Sequence, residues 1–274
     1  MTEHVENNMI RKTSRSTDPL TLAINLWFTV LVIGQGLFLY FILAFYAPGL
    51  MSGDLAAWNR HPMISDPIVQ CDGMGNFAFA SHIVLAIIVT LGGTIQLVPC
   101  VRARAIGFHR WNGRAFMLGA IGASLSGLYA VWGRDASSED IISDTSITLN
   151  GILILVFAGL AWRAASMRHI DTHRRWALRT FMVTNGVFFL RFGFGGWLVI
   201  TQTPPSEDTF HVFAFLSYLL PLAITELYFR LKDSDGFARF LVTAIVLAAA
   251  AYLAIGFFGF HFVFMTTILE AAAV

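Results

Sequence analysis

The chain has 274 residues, of which 56% are hydrophobic and only 13% charged. Its length alone would accommodate two soluble domains, but this balance lies outside that of soluble globular proteins. The formal net charge of +1 conceals a strongly uneven distribution of Lys and Arg along the chain.

Residues 1–18 are polar and without apolar periodicity, which predicts a disordered cytoplasmic tail. Seven apolar runs follow, at roughly 20–46, 77–98, 112–132, 141–162, 177–200, 210–229 and 238–264, each near the ~20 residues that span a bilayer core. The first run is far longer than the apolar segment of a cleaved signal peptide, and no Ala-x-Ala-like site follows it, so it reads as a retained anchor. The expected fold class is all-α: a polytopic transmembrane bundle of about seven spans, with residues 19–274 as a single membrane domain.

The long connection 47–76 carries Pro48, Pro62 and Pro67 and reads equally as a lid or as a solvated spacer. Met51, His61, Met63, Cys71 and Met74 supply soft ligands suited to copper, yet show no ligand spacing, so ordinary loop residues are the default. Cys71 and Cys100 fall on opposite sides of the second span and cannot pair.

Fourteen Lys and Arg residues lie in the tail and alternate connections (Arg11, Lys12, Arg15; Arg102, Arg104, Arg110, Arg114; Arg163, Arg168, Arg174, Arg175; Arg230, Lys232, Arg239), against two, Arg60 and Arg134, in the others. This positive-inside pattern predicts a cytoplasmic N-terminus and an outer C-terminus in the cell inner membrane. Nucleic acid is not an expected partner, because the basic residues form a membrane-edge collar and the aromatics lie in the spans. The lipid bilayer is.

Ahead of the third span the chain reads Trp111-Asn112-Gly113-Arg114-Ala115-Phe116-Met117; ahead of the fifth it reads Trp176-Ala177-Leu178-Arg179-Thr180-Phe181-Met182. The shared Trp-x-x-Arg-x-Phe-Met follows an inward span and opens an outward one in both places, which suggests that spans two and three repeat as spans four and five. Trp and Arg also suit the headgroup level for purely structural reasons. Together with Ser81, His82, Gly92, Gly93, Gln96, Arg102, Arg104, His109, Arg110, the His173-Arg174-Arg175-Trp176 box, Arg191 and Glu226, these residues resemble a bacterial family of predicted membrane proteins of unknown function, over about residues 77–230. The resemblance implies a membrane architecture and no chemistry, and it leaves the first and last spans as flanks.

His109 and His173 occupy equivalent positions in the two copies. Two imidazoles facing across a bundle suit a b-type haem, with Arg114 and Arg179 meeting its propionates. The layout partly resembles the cytochrome b561 family, but an outer His pair is incomplete, since span four contains no His and His211 or His261 would have to stand in. His169 lies four residues before His173, a metal-like spacing that Arg168, Arg174 and Arg175 oppose electrostatically.

Arg191 lies 15 residues beyond Trp176, about 22 Å along a straight helix, and so within the hydrocarbon. A charge there faces a partner or a cavity. Asp144 or an anionic ligand would supply the opposite charge, and His82 and His211 lie at comparable depth, sketching an outward-facing ligand pocket of His82, Arg191, His211 and Asp144. Glu226 is expected to pair with Arg179 between helices. Gly119, Ala123 and Gly127 form a small-residue packing face; Gly193, Gly195 and Gly196 either form another or loosen the helix near Arg191.

Three functional classes remain open. In the first, haem or another redox cofactor carries electrons in the membrane, with a quinone as partner. In the second, the polar residues line a cofactor-free pocket of a small-molecule transporter or sensor; in the third, the chain is a structural subunit of a membrane complex.

Overall fold

A computed structural model describes residues 18–60, 67–134 and 140–266, and every regular element among them is helical. The expected disordered tail, apart from Asp18, lies outside the described residues, as do His61 and Met63 of the copper reading.

Helix α1 (Pro19–Ser52) starts at Asp18, whose carboxylate accepts from the Thr21 amide at 3.1 Å, with Pro19 in the first turn. It runs through Pro48 and stops at Gly53, which takes the left-handed φ of 77° that favours glycine. A 3-10 turn follows at Leu55–Arg60. Helix α2 (Gly73–Leu97) is capped by Asp72, which accepts from the Gly75 amide at 2.8 Å. A short α3 (Pro99–Arg104) leads into α4 (Ile106–Trp132), then α5 (Ile141–Ser166), α6 (Ile170–Thr184), α7 (Gly186–Thr201), α8 (Glu207–Leu231) and α9 (Gly236–Phe260).

Six of these, α1, α2, α4, α5, α8 and α9, are long and apolar enough to cross a membrane; α6 and α7, bent by 53° at their junction, make a seventh span if counted as one. The protein is therefore a polytopic helical bundle. The sequence predicts one span over 177–200, with any loosening at the glycines near Arg191, and the break at Asn185 is the departure from it. The Asn185 side chain turns back to donate to the Phe181 carbonyl at 2.8 Å, which offers the backbone an alternative to continuing the helical ladder. Apolar residues on both sides hide the break from hydropathy.

Helix α4 packs along α2, and α5 along α6; α1 lies between α2 and α9, while α7 contacts both α8 and α9. The small face of α4 closes on α2, where a side chain at Gly119 would meet Val89 and Ile88 and one at Gly127 would meet His82. At the α7–α9 crossing the approach is backbone to backbone through Gly195, Gly256 and Gly259. The buried interior draws on the first and last helices as well as 77–230: Phe38 and Phe41 of α1, Phe188 and Phe192 of α7 and Phe260 of α9 share one cluster, with Phe192 and Phe260 stacked at 4.4 Å.

The two Trp-x-x-Arg-x-Phe-Met segments take the same local form. Arg114 lies over the Trp111 ring at 4.8 Å and Arg179 over the Trp176 ring at 4.5 Å. Phe116 and Phe181 are both buried, and both rings close on Gly93 of α2.

Candidate functional site

The end of the bundle that carries the Trp-Arg segments is called the basic end. There the imidazole of His173 lies within electrostatic reach of His109. His173 Nδ1 is 3.0 Å from the Ala161 carbonyl; a carbonyl only accepts, so Nδ1 is the donor and Nε2 is the nitrogen turned away from this contact. His109 Nδ1 is buried without a partner, and its carbonyl accepts from Gln96 Nε2 at 2.7 Å. Arg114 is stacked on Trp111, while Arg179 is committed to Glu226 through two contacts, at 2.5 and 2.9 Å. The expected interhelical ion pair therefore occupies the fork proposed for a propionate. Among the described residues no group of three or more His, Cys, Asp or Glu side chains is placed to hold a metal ion.

Toward the opposite end, Arg191 of α7 is only 9% exposed. Its guanidinium carbon stands 5.4 Å over the Phe38 ring, its Nε is buried without a partner, and Tyr46 and His82 lie within electrostatic reach. Among the described residues Arg191 forms no ion pair. A cation–π contact contributes about 0.5–2 kcal/mol, whereas burying an unpaired ion costs several kcal/mol, so the charge is under-compensated.

His82 of α2 is held against α4: its Nδ1 is 2.8 Å from the Ala123 carbonyl and 3.2 Å from Ser126 Oγ. By the same reasoning as for His173, Nδ1 carries the proton and Nε2 is the acceptor of the neutral ring. Tyr46 packs edge-on against Trp58 at 5.3 Å, and Trp58 Nε1 donates to the Tyr46 carbonyl at 3.0 Å. Trp58 belongs to the long connection and is 1% exposed, so this part of the connection is packed into the bundle. Arg134 ties its far side down by pairing with Asp72 at 2.8 Å and donating to the Pro67 carbonyl at 3.1 Å. Met51, Cys71 and Met74 of the same connection are exposed.

His82 and Arg191 thus lie within electrostatic reach of each other, whereas His211 pairs with Asp140 at 2.9 Å. Asp144 is buried one turn into α5, its carbonyl accepting from Thr148 Oγ1 at 2.7 Å. Ser143 hydrogen bonds, followed by His211, hold the Asp140 carboxyl down at about 2. Sequence reading did not single out Phe38 and Tyr46, which complete the Arg191 surroundings from α1; their aromatic type was visible, but nothing in a uniformly apolar run marks the inward face.

A second set of buried polar groups surrounds the α6–α7 break. Gln35 Nε2 donates to Asn185 Oδ1 at 2.7 Å, and the Asn150 amide, Ser217 and Tyr218 lie against Gly186.

Residues 79–229 match the family described as predicted membrane protein, DUF2306. No curated protein and no solved structure matches the chain, and nothing found bears on the partial cytochrome b561 layout. With more than half of its length covered, from α2 through α8, the chain belongs to the DUF2306 family of predicted membrane proteins, whose function is unknown.

Proposed function

We propose that the protein binds a small monoanionic molecule at Arg191 and transports or senses it across the bacterial inner membrane, with the basic end in the cytosol. The observation that carries this reading is a buried guanidinium with no carboxylate partner among the described residues. One uncompensated charge matches one negative charge on the ligand, and Phe38, Tyr46 and Trp58 supply an apolar, aromatic surround. A carboxylate attached to an apolar body satisfies both. His82, with Nε2 as acceptor, is suited to a donor group on the same ligand. Access is from the end opposite the basic collar, past the connection that seats Trp58.

The test is thermal stabilisation of detergent-purified protein by a panel of apolar carboxylates, sulfonates and inorganic phosphate. Apolar monoanions should raise Tm in the wild type and in Arg179→Lys, and leave Arg191→Leu unmoved. Equal shifts in wild type and Arg191→Leu would retire the site.

A second reading is favoured by the proximity of His109 and His173 and by the fixed orientation of His173, the kind of carbonyl contact that orients ligating imidazoles. In it the two rings hold haem b at the basic end and a quinone exchanges electrons with it. Arg179, bound to Glu226, is then unavailable to a propionate and Arg114 remains. A Soret band that shifts on dithionite reduction and vanishes in His109→Ala supports this reading. Colourless protein from haem-supplemented cells removes it.

A further inference from the structure

We infer that the α6–α7 break encloses a water-binding chamber beneath Arg191, formed by Gln35, Asn150, Ser146, Asn185 and Tyr218. The orientation of two of its amides, Asn185 and Gln35, follows from a single fixed point. The Phe181 carbonyl can only accept, so the Asn185 group facing it at 2.8 Å is Nδ2. Asn185 Oδ1 therefore faces Gln35 and must be met by Gln35 Nε2, at 2.7 Å. This leaves Gln35 Oε1 as the end of the chain, and it is buried with no donor. Asn150 Oδ1 is in the same condition, as is the Tyr218 hydroxyl, which lies beside Ser146 without a hydrogen bond of good geometry.

Gln35 is 2% exposed and Tyr218 is 1% exposed, so bulk water does not satisfy these groups. Each buried oxygen left without a donor is destabilising, and native proteins meet such groups with ordered water that makes about three hydrogen bonds. The elements that meet here, α1, α5, α8 and the broken span, each bring a polar side chain to one place. A broken helix at membrane depth is tolerated where it lines such a polar space.

The chemistry selects the occupant. Two of the three unpartnered atoms are amide oxygens, which accept and never donate, and the third can do either. A carboxylate would be opposed by the two amide oxygens, which offer it no donor. A metal cation would sit about 9 Å, six residues of rise, from the uncompensated Arg191. Water donates to the amides, bridges to Tyr218 and carries no charge. In consequence, and resting on the anion-binding reading, a bound monoanion stops at Arg191 in this conformation, with water rather than ligand filling the break below it.

X-ray radiolytic footprinting of the intact protein in detergent or nanodiscs, read by mass spectrometry, tests the chamber directly, because radicals generated from bound water oxidise the side chains beside it. Once each rate is normalised to the side chain's intrinsic radical reactivity, which is higher for tyrosine, Tyr218 should be oxidised several-fold faster than Phe192 and Phe260, which are equally buried but stacked on one another. In Gln35→Leu/Asn150→Leu, which removes both amide acceptors, that excess should fall to the level of the phenylalanines. Oxidation of wild-type Tyr218 no faster than Phe192 overturns the inference, whether or not the double variant folds; so does an undiminished excess in a folded double variant. Neither result depends on ligand, so labelling of Tyr218 without any anion-induced Tm shift would retire the anion site and keep the chamber.

Discussion

Arg179 of α6 and Glu226 of α8 meet fork to fork, Nε to Oε1 at 2.5 Å and the terminal nitrogen to Oε2 at 2.9 Å, with the guanidinium sandwiched against Trp176 and Phe229. Bidentate pairing restricts the relative rotation of the two helices in a way that a point charge does not. The side chains are 16% and 35% exposed, which places the pair between buried bridges and screened surface ones. A double-mutant cycle with Arg179→Ala and Glu226→Ala should give a coupling of about 1–2 kcal/mol. Arg179→Lys keeps the charge, loses the fork and should recover less than half of it. Additive single mutants would mean that the pair contributes nothing.

The α7–α9 crossing depends on glycine. A Cβ at Gly259 would collide with the Gly195 backbone, and one at Gly256 with the Phe192 carbonyl; backbone atoms at both sites cannot rotate aside. Gly259→Ala and Gly256→Ala should therefore cost more than about 3 kcal/mol by over-packing, seen as aggregation on extraction or a Tm drop of many degrees. Gly159, by contrast, has nothing within 4 Å of where its Cβ would stand. Gly159→Ala should stabilise its helix by about 0.5–1 kcal/mol. A normal melt for Gly259→Ala would show that the helices can separate at little cost.

Much of this architecture was legible in the chain, because lipid imposes a length and an apolar content that soluble folds do not. The span count followed from that constraint, as did the pairing of Glu226 with Arg179, two charges at one depth. Asn185 was harder to read: one amide beside Thr184 in a mostly apolar run looks like a tolerated substitution until its side chain is seen bonding back to Phe181. The surroundings of Arg191 were half legible. Its burial and the proximity of His82 follow from depth, which counting residues supplies. Phe38 and Tyr46 do not, since helix rotation decides which face of α1 turns inward. Asp144 and His211 share the depth of the site but not its contacts, and it is Asp140, at the mouth of α5, that takes the histidine.

Acid should act through Asp140. Its folded-state pKa, about 2, lies below the ordinary 3.8 because Ser143 donates to the carboxylate and His211 is paired against it. A depressed carboxyl stabilises the fold above its unfolded pKa, and that stabilisation is lost as pH falls through the folded value. The decline therefore belongs between about pH 4 and pH 2. Melting curves of wild type and Asp140→Asn should converge as the pH falls across this window, the variant starting lower and varying less. Parallel curves would assign the acid sensitivity to other carboxylates.

Arg191 should reveal its purpose by harming the protein that carries it. Without ligand, a guanidinium held over Phe38 with its Nε unpartnered is a cost of several kcal/mol only partly offset by the ring. Arg191→Met keeps much of the side-chain volume and removes the charge, so ligand-free Tm should rise, by an amount corresponding to about 1–3 kcal/mol. Residues that structure alone requires do not behave this way; stability gained together with function lost is the mark of a site kept strained for binding. The same variant should lose all anion-induced stabilisation, while Arg191→Lys, a point charge on a shorter fork-less stem, should retain a weakened response. If Arg191→Met instead melts several degrees lower than wild type, the guanidinium is a structural tie, and the anion site has to be sought elsewhere in the bundle.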